Sequence, residues 1–259
     1  MSKYVFCDLD CTLLNDSREV SNKDLKAIKE FEAKGNRFII NSGRVPFALK
    51  PYKELLNSTD VITSNGALII SDNKIIKKEL LSKEKILPVA KYAIDNKLCL
   101  RIFTYDFLYL LNKEYAPKNT FTYTQNKAID YDEFQQLLDK IDIVKVAFSG
   151  EKEPLEIAKK ELEKMQLDVE ISFSSSTFLE VNSSNQNKGN GIKDYCKLKN
   201  IDIKDTVSIG DNGNDITMLK VAGYSACPSN AIDEVKKIVN YVCNNDNNHS
   251  AVKEVLEKL

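Results

Sequence analysis

Over the first 60 residues, short apolar runs alternate with stretches of helical periodicity, the pattern of a parallel sheet covered by helices. Residues 4–7 read as the first strand. Ser21-Asn22-Lys23-Asp24 has the form of a capping box, and Leu25, Ile28 and Phe31 recur at helical spacing until Gly35 supplies a stop. Residues 37–40 form the second strand, Pro46 opens a helix running to about residue 56, and residues 61–63 resume the strand pattern. Residues 67–70 and 74–77, joined through Asp72-Asn73, predict a hairpin.

From about Ser82 the rhythm changes. Helices are predicted over 85–96, 131–139 and 154–165, with strands over 98–104, 107–111, 143–148, 169–173 and 178–181. Consecutive strands without an intervening helix indicate a separate, partly antiparallel α/β unit. Strict alternation returns after Lys188, with strands over 206–209 and 224–227, helices between them, and a final helix from about His249. The pattern predicts an α/β protein: a doubly wound parallel-sheet core made of residues 1–81 and 184–259, interrupted by an inserted α/β cap over 82–183. An insertion of this size is a normal domain.

Composition narrows the partners. With 37 basic and 38 acidic side chains, the net charge is −1 and no long run of like sign offers a nucleic-acid or membrane-surface footprint. A small-molecule partner is the default, and no obligate protein partner is evident. Six cysteines stand apart from one another, with no C-x-x-C pair, and read as reduced thiols. The start of the chain lacks a basic stretch followed by a signal-length apolar run, and no segment approaches the roughly 20 apolar residues of a membrane span. The expectation is a soluble, cytoplasmic protein.

In an open parallel sheet, ligands bind beyond the carboxyl ends of the strands. The residues at those ends are chemically unusual here: Asp8 and Asp10 after the first strand, Ser42-Gly43-Arg44 after the second, Asn65-Gly66 after the third, then Lys188 and the segment from Asp211 to Asp215. Four carboxylates converging on one rim repel each other unless a cation joins them. Carboxylate oxygens imply a hard ion, and Mg2+ suits a site that keeps room for water and substrate phosphate. Zinc is disfavoured, because His249 is the sole histidine and no thiolate cluster exists. Lys188 opens a helix, where a cation opposes the helix dipole by about 0.3–1 kcal/mol. A phosphate would offset that, with the Ser42 hydroxyl and the Gly43 amide holding its other oxygens. The set reads as phosphoryl-transfer equipment. Singly, each part has a plain structural reading, as turn, cap or solvent-facing residue; their joint occurrence at successive strand ends outweighs those readings.

The segment Asp8-Leu9-Asp10-Cys11-Thr12-Leu13-Leu14 resembles the first motif of the haloacid dehalogenase superfamily, Ser42-Gly43-Arg44 the second, Lys188-Gly189 the third, and Gly210-Asp211-Asn212-Gly213-Asn214-Asp215 with Ile216-Thr217-Met218-Leu219 the fourth. Asn65-Gly66-Ala67, Ala222-Gly223 and Asn230-Ala231 look like its Cof-type branch, which has a Rossmann-like core and a C2B-type α/β cap. The resemblance implies a Mg2+-dependent phosphatase of small phosphorylated metabolites such as sugar phosphates. On it, Asp8 attacks phosphorus to form an aspartyl-phosphate, and Asp10 protonates the leaving oxygen and then activates water. The ion would be held by the Asp8 carboxylate, the Asp10 backbone carbonyl and Asp211, with Asp215 close by. Ser42, Gly43, Lys188 and Asn214 would bind the phosphoryl group, and Thr12 would orient the loop. Two residues depart from the family pattern: Cys11 replaces the usual glycine, where its Cβ restricts the loop, and Ser42 stands where threonine is common.

Two other readings compete. A phosphomutase uses a related scaffold, but the phosphomannomutase group carries a longer, glycine-doubled fourth motif than the compact one here. A catalytically weak metabolite-binding regulator would need neither the nucleophile nor the acid, and Cys11 is its sole support. In the cap, Arg101, Tyr105, Tyr109 and Tyr115 offer a cation and hydroxyls to a polar substrate. Packing on a cap sheet explains the same stretch equally well.

Overall fold

The computed structural model describes residues 3–118 and 123–259. In chain order the elements are β1 (Tyr4–Cys7), α1 (Asn22–Ala33), β2 (Arg37–Asn41), α2 (Pro46–Leu55), β3 (Val61–Thr63), β4 (Leu68–Ser71), β5 (Lys74–Lys78), α3 (Lys83–Asp95), β6 (Cys99–Phe103), β7 (Leu108–Leu111), β8 (Asn126–Ile129), α4 (Tyr131–Leu137), β9 (Lys145–Ser149), α5 (Lys152–Lys164), β10 (Val169–Ser175) and β11 (Phe178–Ser183). They continue with α6 (Lys188–Lys199), β12 (Thr206–Ile209), α7 (Ile216–Val221), β13 (Tyr224–Cys227), α8 (Asp233–Lys236), β14 (Tyr241–Val242) and α9 (Ala251–Leu256). The chain forms two compact units. One comprises Met1–Arg44, Leu49–Lys78 and Asn187–Leu259; the other comprises Val45–Ala48 and Glu79–Gln186.

The first unit is built on an eight-stranded sheet of order β14-β13-β12-β1-β2-β3-β4-β5, parallel except for the β4–β5 end. Its central strands are apolar on both faces, and alternation sends successive residues to opposite layers. Val5 and Cys7 of β1, with Phe38 and Ile40 of β2, face a layer filled by Ala27, Ile28 and Phe31 of α1 and Val252, Val255 and Leu256 of α9. Phe6 and Ile39, between them in sequence, face Ile192, Tyr195 and Cys196 of α6 and Met218 and Leu219 of α7. Each such fully buried Ile, Leu or Phe contributes about 1.5–3 kcal/mol. This two-sided covering fixes β1, β2, β3 and β12 side by side, so their carboxyl ends share one edge. The predicted capping box is half formed. Ser21 Oγ accepts the Asp24 N–H at 3.0 Å, while the Asp24 carboxylate accepts the Lys253 N–H at 2.8 Å and ties α1 to α9.

The second unit has a six-stranded sheet of order β10-β11-β9-β6-β7-β8, antiparallel except for the β7–β8 pair. One face is covered by α3, α4 and α5: Leu100, Ile102, Val146 and Phe148 from the strands meet Val89, Phe134, Leu155 and Leu162 from the helices. The opposite face holds Cys99, Phe103, Leu108, Leu110 and Ala147. Tyr109 packs partly buried against the helix-covered core, and Tyr105 and Tyr115 are exposed. Among the described residues, no helix is long and apolar enough to cross a membrane.

Candidate active site

Asp8 continues the line of β1 with extended backbone (φ −67°, ψ 160°), and its N–H donates to Ile209 O at 2.9 Å, the last rung between β1 and β12. The chain then turns sharply through Leu9–Leu13, closed by Leu14 N–H to Leu9 O at 2.8 Å. Inside the turn Cys11 adopts left-handed backbone, φ 56° and ψ 10°. This is the conformation glycine takes without strain, so the departure from the family pattern leaves the loop geometry in place and loads it with a Cβ. Two side chains hold the turn. Thr12 Oγ1 donates to Asp211 Oδ1 at 2.6 Å, and Asn230 Nδ2 donates to Cys11 O at 2.8 Å.

After β2, Ser42-Gly43-Arg44 is clamped to the end of β3. Ser42 N–H donates to Ile62 O at 3.0 Å, Asn65 N–H to Ser42 O at 3.1 Å, and Ser64 N–H to Arg44 O at 2.9 Å. The buried Ser42 hydroxyl accepts the Arg44 N–H at 3.1 Å. A Cβ on Gly43 would come within 2.9 Å of Asn65 Oδ1, so a larger residue there would require the Asn65 side chain to shift. Gly66, at φ +92°, lets the next turn approach the start of α6: a Cβ there would lie 2.6 Å from the Asn187 carbonyl oxygen. That close seating places Lys188, the first residue of α6.

Lys188 is completely buried, and its Nζ lies 2.6 Å from both Asp8 Oδ1 and Asp215 Oδ1. Asp215 in turn accepts the N–H groups of Asp211 (2.9 Å) and Asn212 (3.0 Å) through Oδ2, so it closes the loop after β12 and holds the lysine at once. Asp8, Asp211 and Asp215 each offer an oxygen within 4.8 Å of the others. Three buried carboxylates face one ammonium. Burial first, then the Asp215 charge, pushes Asp8 up to about 8 despite Lys188. Burial is also the main reason Asp211 rises to about 6, with the Thr12 hydrogen bond opposing it. Burial alone would lower Lys188, but the Asp215 and Asp8 charges reverse the sign and hold it above its ordinary value. The cluster is short of positive charge and made of hard oxygen donors, so it fits a hard divalent cation. His249 is paired with Asp246 in an exposed loop and offers no competing nitrogen ligand.

The structure therefore brings together Asp8, Lys188, Asp211 and Asp215. The Asp10 carboxylate lies outside that cluster: Arg44 grips it through Nε at 2.9 Å and Nη2 at 2.5 Å, and 52% of the Asp10 side chain is exposed. Arg44 also stacks over the Tyr52 ring at 5.0 Å. Asn214 is exposed on the 3₁₀ turn Gly213–Asp215. Sequence reasoning missed three participants. Arg44 was visible only as the third letter of a motif. Asn230 was noted without a function. Asn247, in the 3₁₀ turn Asn247–His249, is buried and donates to Leu14 O at 3.0 Å and Asp16 Oδ1 at 3.1 Å, while its N–H donates to Asn230 Oδ1 at 3.0 Å. An asparagine pair thus braces the Asp8 loop from the far end of the chain.

A family described as haloacid dehalogenase-like hydrolase matches residues 5–256. YxeH of Bacillus subtilis (strain 168) is 27% identical over 268 residues, spanning 99% of this chain and 98% of that protein. The 5-amino-6-(5-phospho-D-ribitylamino)uracil phosphatase YcsE of the same organism is 28% identical over 242 residues, 93% of this chain and 89% of that one. Among solved structures, TM0651 from Thermotoga maritima superposes with a TM-score of 0.87 at 28% identity, covering 100% of this chain and 98% of that chain.

Proposed function

Because the chain belongs to the haloacid dehalogenase-like hydrolase family, we propose that it is a Mg2+-dependent phosphomonoester hydrolase that works through an aspartyl-phosphate on Asp8. The observation that carries this reading is Lys188, wholly buried and 2.6 Å from Asp8 and Asp215, in a cluster that a binding protein would have no reason to assemble. The Asp8 carboxylate, the Asp10 backbone carbonyl and Asp211, together with Asp215, would hold Mg2+, which would neutralise charge on the phosphoryl oxygens.

In the first step an Asp8 oxygen bonds to phosphorus as the ester P–O bond breaks, and Asp10 gives its proton to the departing alkoxide. In the second, Asp10 takes a proton from a water that attacks phosphorus, and the Asp8–phosphorus bond breaks to release inorganic phosphate. Lys188, the Ser42 hydroxyl, the Gly43 amide and Asn214 hold the transferring group. Lys188 also keeps Asp8 aimed, because its ammonium is shared with Asp215. Asp10 must exchange Arg44 for the leaving oxygen, which makes Arg44 a positioning residue. In this reading residues 1–81 and 184–259 form the catalytic core and the inserted residues 82–183 set specificity. The substrate is a small phosphate ester of the cytoplasm, such as a sugar phosphate. The ribityl phosphate in the name of YcsE supports that class.

The test is phosphate release from an aryl phosphate with and without Mg2+, in the wild type and Asp8→Asn. Release that needs Mg2+ and vanishes in a folded Asp8→Asn is the expected result. Turnover that persists in that variant overturns the assignment.

A further inference from the structure

One polar side chain in an apolar layer of the first unit has no part in the chemistry above. Asn41, the last residue of β2, is completely buried. Alternation along the strand sends it to the same side as Ile39, into the layer filled by Ile192 of α6 and by Met218 and Leu219 of α7. Its Nδ2 donates to the backbone oxygen of Lys188 at 3.1 Å and lies 3.5 Å from Met218 Sδ. Among the described residues, its Oδ1 finds no donor.

A buried amide oxygen without a partner is unfavourable, so stability does not account for an asparagine at this position. Nor does the need of the Lys188 carbonyl, which stands in the first turn of α6 and receives the N–H four residues on. A valine would fill similar space without an unpaired atom. It would lack the link. Asn41 immediately precedes Ser42, and its amide ties the end of β2 to the backbone of the residue whose ammonium meets Asp8 and Asp215 at 2.6 Å. That ammonium ends a flexible four-carbon stem, so its place depends on where the stem begins. The next backbone group is held as well. At the start of a helix the Gly189 N–H has no partner within it, and it donates to Thr217 Oγ1 of α7 at 3.1 Å. Side chains from β2 and α7 thus grip the Lys188 carbonyl and the N–H that follows it.

We propose that Asn41 is a positioning residue: its amide, together with Thr217 Oγ1, sets the backbone of Lys188 so that the ammonium bridges Asp8 and Asp215. The effect on turnover rests on the function proposed above. There a group misplaced by about 1 Å costs up to about a hundredfold in rate.

The test uses the full chain as wild type, Asn41→Val, Asn41→Ala, Thr217→Val and Thr217→Ser. Crystal structures of wild type and Asn41→Val give the place of Lys188 Nζ, steady-state hydrolysis of an aryl phosphate with Mg2+ gives kcat and KM, and thermal unfolding gives stability. In Asn41→Val the ammonium is expected to lose hydrogen-bond reach of at least one of the two carboxylates. With it kcat falls about tenfold or more, while the melting temperature changes by no more than about 4 °C, because the variant also sheds an unpaired oxygen. Thr217→Val lowers kcat in the same direction, and Thr217→Ser, which keeps the hydroxyl, restores it. Where Asn41→Val fails to fold, Asn41→Ala and Thr217→Val carry the same comparison. A merely structural asparagine gives the opposite split, a lower melting temperature with unchanged kcat, and that result overturns the proposal. So does a Lys188 that keeps both contacts in the variant, whatever the turnover. If wild type shows no turnover at all, a displaced ammonium in the variant keeps the proposal and sinks the phosphatase reading instead.

Discussion

Replacing Cys11 by glycine should stabilise the protein. Cys11 sits at φ 56° in the turn that follows the proposed nucleophile, and a left-handed L-residue costs about 1–2 kcal/mol relative to its preferred conformations. Glycine adopts that backbone freely, but its unfolded chain is more flexible, which returns about 0.4–1 kcal/mol. Little packing is lost, because the Cys11 side chain is exposed, and the contact that anchors the turn goes to its backbone oxygen from Asn230. The balance is a gain of about 0.5–1 kcal/mol, or about 1–4 °C in melting temperature for a chain of this size. Thermal unfolding followed by circular dichroism of wild type and Cys11→Gly side by side reads it directly. A fall in melting temperature would refute the reasoning, because it would mean that the thiol makes interactions worth more than the strained backbone. Steady-state turnover of the same pair then shows whether the family's usual glycine also gives a faster loop.

Asn247→Ala removes the brace between the C-terminal loop and the Asp8 turn and leaves Leu14 O without its donor; a stability loss of about 1–3 kcal/mol and a lower kcat are expected, and unchanged kinetics would show that the brace does not position the turn. Asp60 accepts a hydrogen bond from the Tyr195 hydroxyl, and although burial would raise it, the bonds from Tyr195, the Asp72 N–H and Ser71 hold it below the ordinary aspartate range. A depressed carboxylate contributes stability above its unfolded value and loses it as the pH falls through the folded one, so the stability advantage of wild type over Tyr195→Phe should shrink below about pH 4; an advantage constant down to pH 3 would contradict it. Chelation of divalent ions, and separately Asp211→Asn, should each abolish most phosphate release, with Mg2+ restoring the first and not the second; turnover indifferent to both would remove the metal from the reaction.

Much of the fold was legible in the sequence because its central strands are apolar on both faces and bounded by turn residues. β1, β3, β12 and β13 stood out for that reason, and the hairpin of β4 and β5 for the Asp72-Asn73 turn between its two strands. What escaped lacks periodicity. β14 is two residues and α8 is four, too short to repeat a pattern. β8 reads Asn-Lys-Ala-Ile, with Lys127 and Ala128 exposed, and is a strand because it pairs with β7. In the site, strand ends singled out Asp8 and Asp211, since topology alone brings those ends to one edge, and Lys188 stood out as a cation in the first turn of a helix. Which side chain then pairs with which is decided by loop geometry, so neither the Arg44 grip on Asp10 nor the burial of Asn247 could be read from spacing.

That geometry also separates two carboxylates that are two residues apart. Asp8 is buried against Lys188, whose ammonium it shares with Asp215, and there desolvation raises it and any added cation acts strongly. Asp10 is half exposed and tied to a guanidinium it can release. The nucleophile and the proton carrier proposed above need such unlike surroundings. The first must be fixed and shielded at the phosphorus, and the second must reach both a leaving oxygen and water. The turn through Cys11 and Thr12 creates the difference: it carries the chain from the dry end of β1 to the surface within one turn, and the Thr12 hydroxyl fastens that turn to Asp211. A substitution that loosens it, such as Thr12→Val, should therefore hurt the hydrolysis of the aspartyl-phosphate as well as its formation. Equal stability and equal kcat in Thr12→Val and wild type would show that the turn holds its place without the hydroxyl.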